Sequence, residues 1–533
     1  MKMRFLAYIL LTLFITAEMV AQPKIVHPSI GTSVTTSDKK VKITLIGKKQ
    51  NFKLSDNTFD PDIYSPKSVH IHPNGSKYYV NSLEGCTTIS YDFTTHKKLK
   101  VIHHSFDGIH DTALWSKPSG LFPWKHYFKN QNSFKGKPVE STFSHDGAYL
   151  WVPYSRRSFD INAQDPSAVA IIDTENDSIV RLMETGPLPK MITTSPDGNI
   201  IAISHWGNNT VGLIDISSSN PKDWKYICKL VVDYELKLDY PLDKSVDRDT
   251  GSGYALRGTV FTPDNKYLLV GCMGGGGGIA VIDIPQRKYL GRVVGMMPNV
   301  RHLVLSNGYL YLSINKGGMV QRIPLKTFLS AVDRLNGKTV TISGWENAKV
   351  GAGARTISLT PNGQYVFAAC NTVSSIYIVD TETMTTIGHI DADSYPVGLD
   401  ISSDGCYLFT TSQGRENGGG NCVDIYKLEY QDDVAKRSCL VCGGTMNDNG
   451  SECLSCGYKL ADSVEDAPTL VDAGKGEAHE SGTTLTDNVG YTHKIWQSLA
   501  NYKIIVPVVI LIFAVLTLTF FCLYRNKNKK ITD

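Results

Sequence analysis

The sequence is without the short motifs that announce most cofactor chemistry. No dinucleotide fingerprint is present, and the glycine run Gly274–Gly278 is not followed by Gly-Lys-Ser/Thr, which argues against a phosphate loop. No Cys-x-x-Cys-His occurs, so that route to a c-type haem is closed. No Ser/His/Asp arrangement carries a recognisable nucleophile signature. Charge of one sign is also scarce. The 54 Lys and Arg nearly cancel the 51 Asp and Glu, leaving +3 over 533 residues and no reason to expect a nucleic-acid partner.

What is present is a turn that recurs seven times. Its copies are His72-Pro73-Asn74-Gly75, Ser144-His145-Asp146-Gly147, Ser195-Pro196-Asp197-Gly198, Thr262-Pro263-Asp264-Asn265, Leu305-Ser306-Asn307-Gly308, Thr360-Pro361-Asn362-Gly363 and Ser402-Ser403-Asp404-Gly405. Asp/Asn-Gly tolerates the positive φ that tight hairpins need. An aromatic and β-branched run follows each copy, for example Tyr78-Tyr79-Val80 and Tyr365-Val366-Phe367-Ala368. A third run often ends in aspartate, as at Asp173, Asp215, Asp283 and Asp380, where the carboxylate can open the next turn. The spacing of the copies runs from 42 residues (Gly363 to Gly405) to 72 (Gly75 to Gly147). The shorter spacings match one four-stranded propeller blade, and the longer ones imply loop insertions, notably 96–138 and 217–256. The pattern predicts an all-β, seven-bladed β-propeller over residues 41–430. The ring is expected to close by pairing Val41–Ile46 with Val423–Leu428, which removes exposed sheet edges.

The units resemble the YVTN-type β-propeller repeat family. The Ser-Pro-Asp-Gly turn at 195–198, the run Tyr79-Val80-Asn81-Ser82 and the ending Ile171-Ile172-Asp173-Thr174 carry the resemblance, from about Pro66 to Leu428. It implies a fold and no particular reaction. Related propellers include lactonase-like and quinoprotein-like enzymes as well as pure binding modules, and the family supplies no shared catalytic residues.

The ends suggest a location. Lys2 and Arg4 precede an apolar stretch, Phe5–Thr16, with small residues at Ala17 and Ala21; this reads as a signal peptide over 1–21, cleaved near Ala21 or alternatively Ala17. Residues 503–524 contain about 20 uncharged apolar positions, enough for a transmembrane helix. Arg525, Lys527, Lys529 and Lys530 in the tail 525–533 favour a cytoplasmic C-terminus. The expected arrangement is a propeller outside the cytoplasm, in the periplasm or at the cell exterior, anchored to the cell membrane by a single C-terminal helix. Residues 461–500, rich in Asp, Glu, Gly, Ser and Thr, read as a disordered linker.

A small module precedes that linker at 437–460. Cys439 and Cys442, followed by Gly443, and Cys453 and Cys456, followed by Gly457, form two Cys-x-x-Cys-Gly knuckles. They resemble a minimal zinc ribbon, with structural Zn held by four thiolates and no open position for water. An exported chain could instead pair these four cysteines as disulfides. Cys370, Cys406 and Cys422 fall in or beside blade strands as small hydrophobes, with a disulfide among them left open.

Candidate ligand-binding residues emerge from the repeat. Counting eight residues back from the end of each turn gives Lys67, Val139, Lys190, Arg257, Val300, Arg355 and Val397, with Arg301 one step beyond Val300. The first strand of a blade lines a propeller's channel, so Lys67, Lys190, Arg257, Arg301 and Arg355 are expected to converge on one mouth and attract an anionic ligand. Pairing with carboxylates such as Glu140 and Asp400 is the plainer alternative. The first long insert holds His103, His104, His110, Trp115, Trp124, His126 and Tyr127, either a binding lid or packing over a blade. His205-Trp206-Gly207 is expected near the mouth, while Asp247-Arg248-Asp249-Thr250-Gly251 offers oxygen donors but lacks the Glu of an EF-hand loop. The functional expectation is a ligand- or protein-binding scaffold module. The rival is a lactonase-like or quinoprotein-like enzyme acting at the channel mouth.

Overall fold

The computed structural model describes residues 26–52, 57–414 and 420–431. The expected signal peptide, the cysteines Cys439, Cys442, Cys453 and Cys456, the linker, the transmembrane segment and the basic tail all lie outside the described residues. Among the described residues no helix is long and apolar enough to cross a membrane.

The strands form seven separate antiparallel-cored sheets, the blades of a propeller. Blades 1 to 7 begin with the inner strands Pro66–Ile71, Thr142–Ser144, Pro189–Thr194, Leu256–Phe261, Val300–Ser306, Ala354–Leu359 and Pro396–Ile401. Within each blade the chain steps outward through successive antiparallel pairs. The strand Val41–Gln50 returns to pair with Cys422–Tyr430, matching Val41 to Tyr430 and Gln50 to Cys422, so blade 7 is completed from the N-terminal side as expected.

Seven hydrophobic clusters hold this arrangement, each joining two neighbouring blades. Blades 7 and 1 share one built on Phe409, Ile425, Tyr78 and Tyr91, which makes the ring continuous. Trp151 of blade 2 stacks on Trp224 beside blade 3 at 5.2 Å, and both are buried. A propeller thus has no single core. Each alternating strand buries one face against each neighbour, which explains why its runs read as nearly continuous apolar segments.

The turns behave as their chemistry requires. Gly75, Gly198, Asn265, Gly363 and Gly405 take positive φ at the last turn position. The strand-ending aspartates cap the next turn: Asp173 Oδ1 accepts the Glu175 N–H at 2.9 Å and Asp215 Oδ1 accepts the Ser217 N–H at 3.0 Å. Blade 5 differs. Its hairpin closes more tightly, pairing Ser306 with Tyr309, with positive φ at Asn307 and Gly308.

Candidate functional site

The first residue of each inner strand faces its partner strand in one register: Pro66 opposite Ser82, Pro189 opposite His205, Leu256 opposite Cys272, Val300 opposite Ile314, Ala354 opposite Cys370 and Pro396 opposite Ser412. In blade 2 Pro138 stands opposite Tyr154 at the same level. A bulge follows immediately in the registered blades, and in blade 2 the Val139 N–H bonds to the Pro153 carbonyl there. The residue at that bulge is Lys67, Val139, Lys190, Arg257, Arg301, Arg355 and Val397 in blades 1 to 7. The count back from the turns therefore needs one correction. Val300 sits one position early, because the blade 5 hairpin is one residue shorter between its bulge and the end of its turn. Arg301 is its true equivalent.

All five predicted bases line a single cavity of about 680 Å³, joined at its rim by the exposed Lys316. Neighbouring blades fix the backbone of the ring. Ser204 Oγ donates to the Arg257 carbonyl at 3.2 Å and Ser313 Oγ to the Arg355 carbonyl at 2.5 Å. Ser68 Oγ holds the Val139 carbonyl at 2.7 Å and Thr356 Oγ1 the Val397 carbonyl at 2.7 Å. All five bases stand on inner strands and not on loops.

Few carboxylates answer these charges. Glu140 approaches Arg257 Nη2 at 3.9 Å, and Asp249 is the one acid among the residues lining the cavity. Among the described residues neither Lys67 nor Lys190 has a hydrogen bond or ion pair from its ammonium group. Arg301 Nε is buried without a partner, and Arg301 Nη1 contacts only the weak acceptor Met273 Sδ, at 3.4 Å. Burial, then Arg257, Arg301 and Arg355, push Lys190 down to about 7 against the pull of Asp249. Lys67 is driven well below its usual value by burial and then by Arg355 and Arg257. Burial would raise Glu140, yet Lys67, Arg257, His70 and Arg355 hold it below its ordinary value. Folding here crowds cations together, which is costly unless something anionic joins them.

The second insert, not the first, builds the rest of the wall. Asp249, Thr250, Ser252, Gly253 and Ala255 come from it. Arg248 pins this insert to the scaffold, donating to the Ala163 and Gly207 carbonyls at 2.8 Å each, and also to that of Asn162. The Trp206 indole N–H donates to the Arg248 carbonyl at 3.1 Å, placing its ring in the cavity wall with Arg257 5.9 Å from the ring centre. Trp206 thus lies at the mouth as expected. His205 turns inward between Thr185 and Thr210, where burial lowers it to about 3.

The first insert contributes nothing to the cavity lining. Its aromatics, apart from the exposed Tyr127, pack on the blades: Trp115, Trp124 and Phe134 surround the Arg157 guanidinium at 4.7–4.9 Å, Phe122 meets Tyr226, and His126 pairs with Asp165 at 2.8 Å. Packing, not a lid over the channel, is its role in this structure. Asp400 is separate from the bases. It accepts the Ile71 N–H at 2.8 Å, and burial raises it to about 7. Among the described cysteines, Cys86, Cys228, Cys272, Cys370 and Cys422 are free thiols.

No family model matches the chain. A 240-residue stretch, 42% of the chain, is 22% identical to Antigen Lp49 of Leptospira interrogans serogroup Icterohaemorrhagiae serovar copenhageni (strain Fiocruz L1-130), and the match spans 45% of that protein's length. Among solved structures, Kuenenia stuttgartiensis hydrazine synthase aligns at a TM-score of 0.49 and 14% identity, covering 71% of this chain and 99% of that one. The β-propeller domain of Myceliophteria thermophila Cps50 (Swd1) aligns at 0.45 and 13%, covering 68% and 96%.

Proposed function

We propose that this chain is a binding module of the YVTN-repeat type whose channel cavity captures an anionic ligand. The observation that carries the reading is the convergence of Lys67, Lys190, Arg257, Arg301 and Arg355, from five different blades, on one cavity with two nearby carboxylates among the described residues. Preorganised cations in a partly enclosed, low-dielectric space bind anions far better than scattered surface charges do. The sequence adds the setting: a secretory signal over 1–21, a Cys₄ zinc ribbon at Cys439, Cys442, Cys453 and Cys456, a linker, and a membrane span over 503–524 with a basic cytoplasmic flank. In this reading the propeller works outside the cytoplasm and is tethered to the membrane.

Titration calorimetry on the detergent-solubilised full chain with inorganic phosphate and with tripolyphosphate tests the reading. Binding should weaken as salt rises and disappear in an Arg257→Met/Arg301→Met double variant that still melts cooperatively. No binding of either anion by the native chain at low salt would remove the proposal.

A further inference from the structure

The cavity also specifies what kind of anion fits, and this inference rests on the anion-binding reading above. Its size is the first constraint. About 680 Å³ is room for roughly twenty waters at about 30 Å³ each, far more than one phosphate or sulfate displaces. It lies within the usual range of sites that enclose small organic molecules.

Charge distribution is the second constraint. Lys190, Arg257, Arg301 and Arg355 come from the consecutive blades 3 to 6 and form one continuous basic arc. Lys67 stands on blade 1, outside that run of blades, flanked in the ring by Val397 of blade 7 and Val139 of blade 2. Among the described residues, Lys67, Lys190 and Arg301 make no ion pair, so three of the cavity's cations have no acid of their own. One small inorganic anion carries too little charge to answer all of them.

The wall is the third. Trp206 and Met273 present apolar surface beside the arginines, while Ser252 and the backbone at Gly253, Gly274 and Gly275 add small, approachable polar surface. Such a mixture suits a ligand with a body between its charges.

We propose that the cavity binds a small organic polyanion, a molecule with at least two phosphoryl or carboxylate groups, one seated on the Lys190–Arg355 arc and another reaching Lys67. Two consequences follow. Affinity rises steeply with the number of anionic groups, and binding draws a proton into the site. Lys190 faces Arg257, Arg301, Arg355 and Asp249, and burial together with the three arginines holds it near neutrality. A polyanion beside it reverses that balance and restores its proton. Lys67, facing Arg355, Arg257, Arg301 and Glu140, responds in the same direction.

The test is a calorimetric series on the detergent-solubilised full chain at pH 7.5 with phosphate, glucose 6-phosphate, fructose 1,6-bisphosphate and citrate. Each titration is repeated in buffers of different ionisation enthalpy to count protons. The proposal expects the bisphosphate or citrate to bind at least about tenfold tighter than phosphate, with uptake of up to about one proton that is reduced in Lys190→Met. Which of the two wins assigns phosphoryl or carboxylate chemistry. Equal affinity for phosphate and the polyanions, or binding without proton uptake, overturns this inference while leaving anion capture intact. Absence of binding by every anion overturns the underlying reading as well. Preference for a sulfated oligosaccharide, added as a further arm, over all small polyanions also overturns it. Arg301→Met, two blades along the arc from Lys190, guards against a single variant that fails to fold: it should melt normally and lose affinity for the polyanion by about tenfold or more.

Discussion

A lysine held near pH 7 is a liability to the fold that carries it. Lys190 has a folded-state value of about 7 against the usual 10.5. Between those values the unfolded chain binds more protons than the folded one, so this residue makes stability rise with pH over that window. Lys190→Met should therefore flatten the rise and increase thermal stability at pH 7 by on the order of 1–2 kcal/mol, while weakening anion binding. Melting temperature measured from pH 6.5 to 9.5 checks both parts, and a variant less stable than the native chain across that range contradicts the picture of a crowded cationic site. The bases of the ring were legible in the sequence because repeats hold register, so counting from a turn reaches equivalent positions. Val300 was misplaced because a one-residue change in hairpin length is invisible until the pairing is known. Trp206 could be expected near the mouth from its place between strands, but Asp249 could be flagged only as a loop residue, since what brings it to the mouth is the long-range anchor made by Arg248.

Among the elements, the N-terminal strand is the most consequential. Lys48, on Val41–Gln50, pairs with the buried Asp393 and lies 3.4 Å from Asp424, with His27 Nδ1 on Asp393 at 2.8 Å. Lys48 is raised above 10.5, the acids and Cys422 outweighing its burial. Its contribution is therefore complete below the ordinary lysine value and is lost only as pH climbs through the folded one. Lys48→Met strands two buried carboxylates and should cost about 3–5 kcal/mol, read by chemical denaturation at pH 8. The first insert makes a separate test. Arg157→Met removes the centre of the Trp115, Trp124 and Phe134 cage together with the hydrogen bond to the Gln131 carbonyl at 2.7 Å. Limited proteolysis within 107–133 should then accelerate by roughly tenfold or more, with anion affinity unchanged. Sequence composition suggested a lid here because aromatic residues on a long loop look the same whether they await a partner or grip an arginine already in the chain.

At the scale of the molecule, the blade count could be read from turn chemistry alone, since seven hairpins demand seven sheets and a closed ring satisfies their edges. The C-terminal proposals ask for their own measurement. Metal analysis of the full chain should find about one zinc, lost in Cys453→Ser, with the propeller's melting transition retained. A zinc-free native chain with those thiols oxidised would favour disulfides instead. The closing seam has a mechanical consequence. Because Val41–Gln50 covers it, the strand Cys422–Tyr430 lies inside its sheet, flanked on the other side by Tyr407–Ser412. Any tension arriving from residues beyond 431 meets a strand gripped from both sides. Two ladders must yield together before the disc can be pulled open, where an outermost strand would simply peel away.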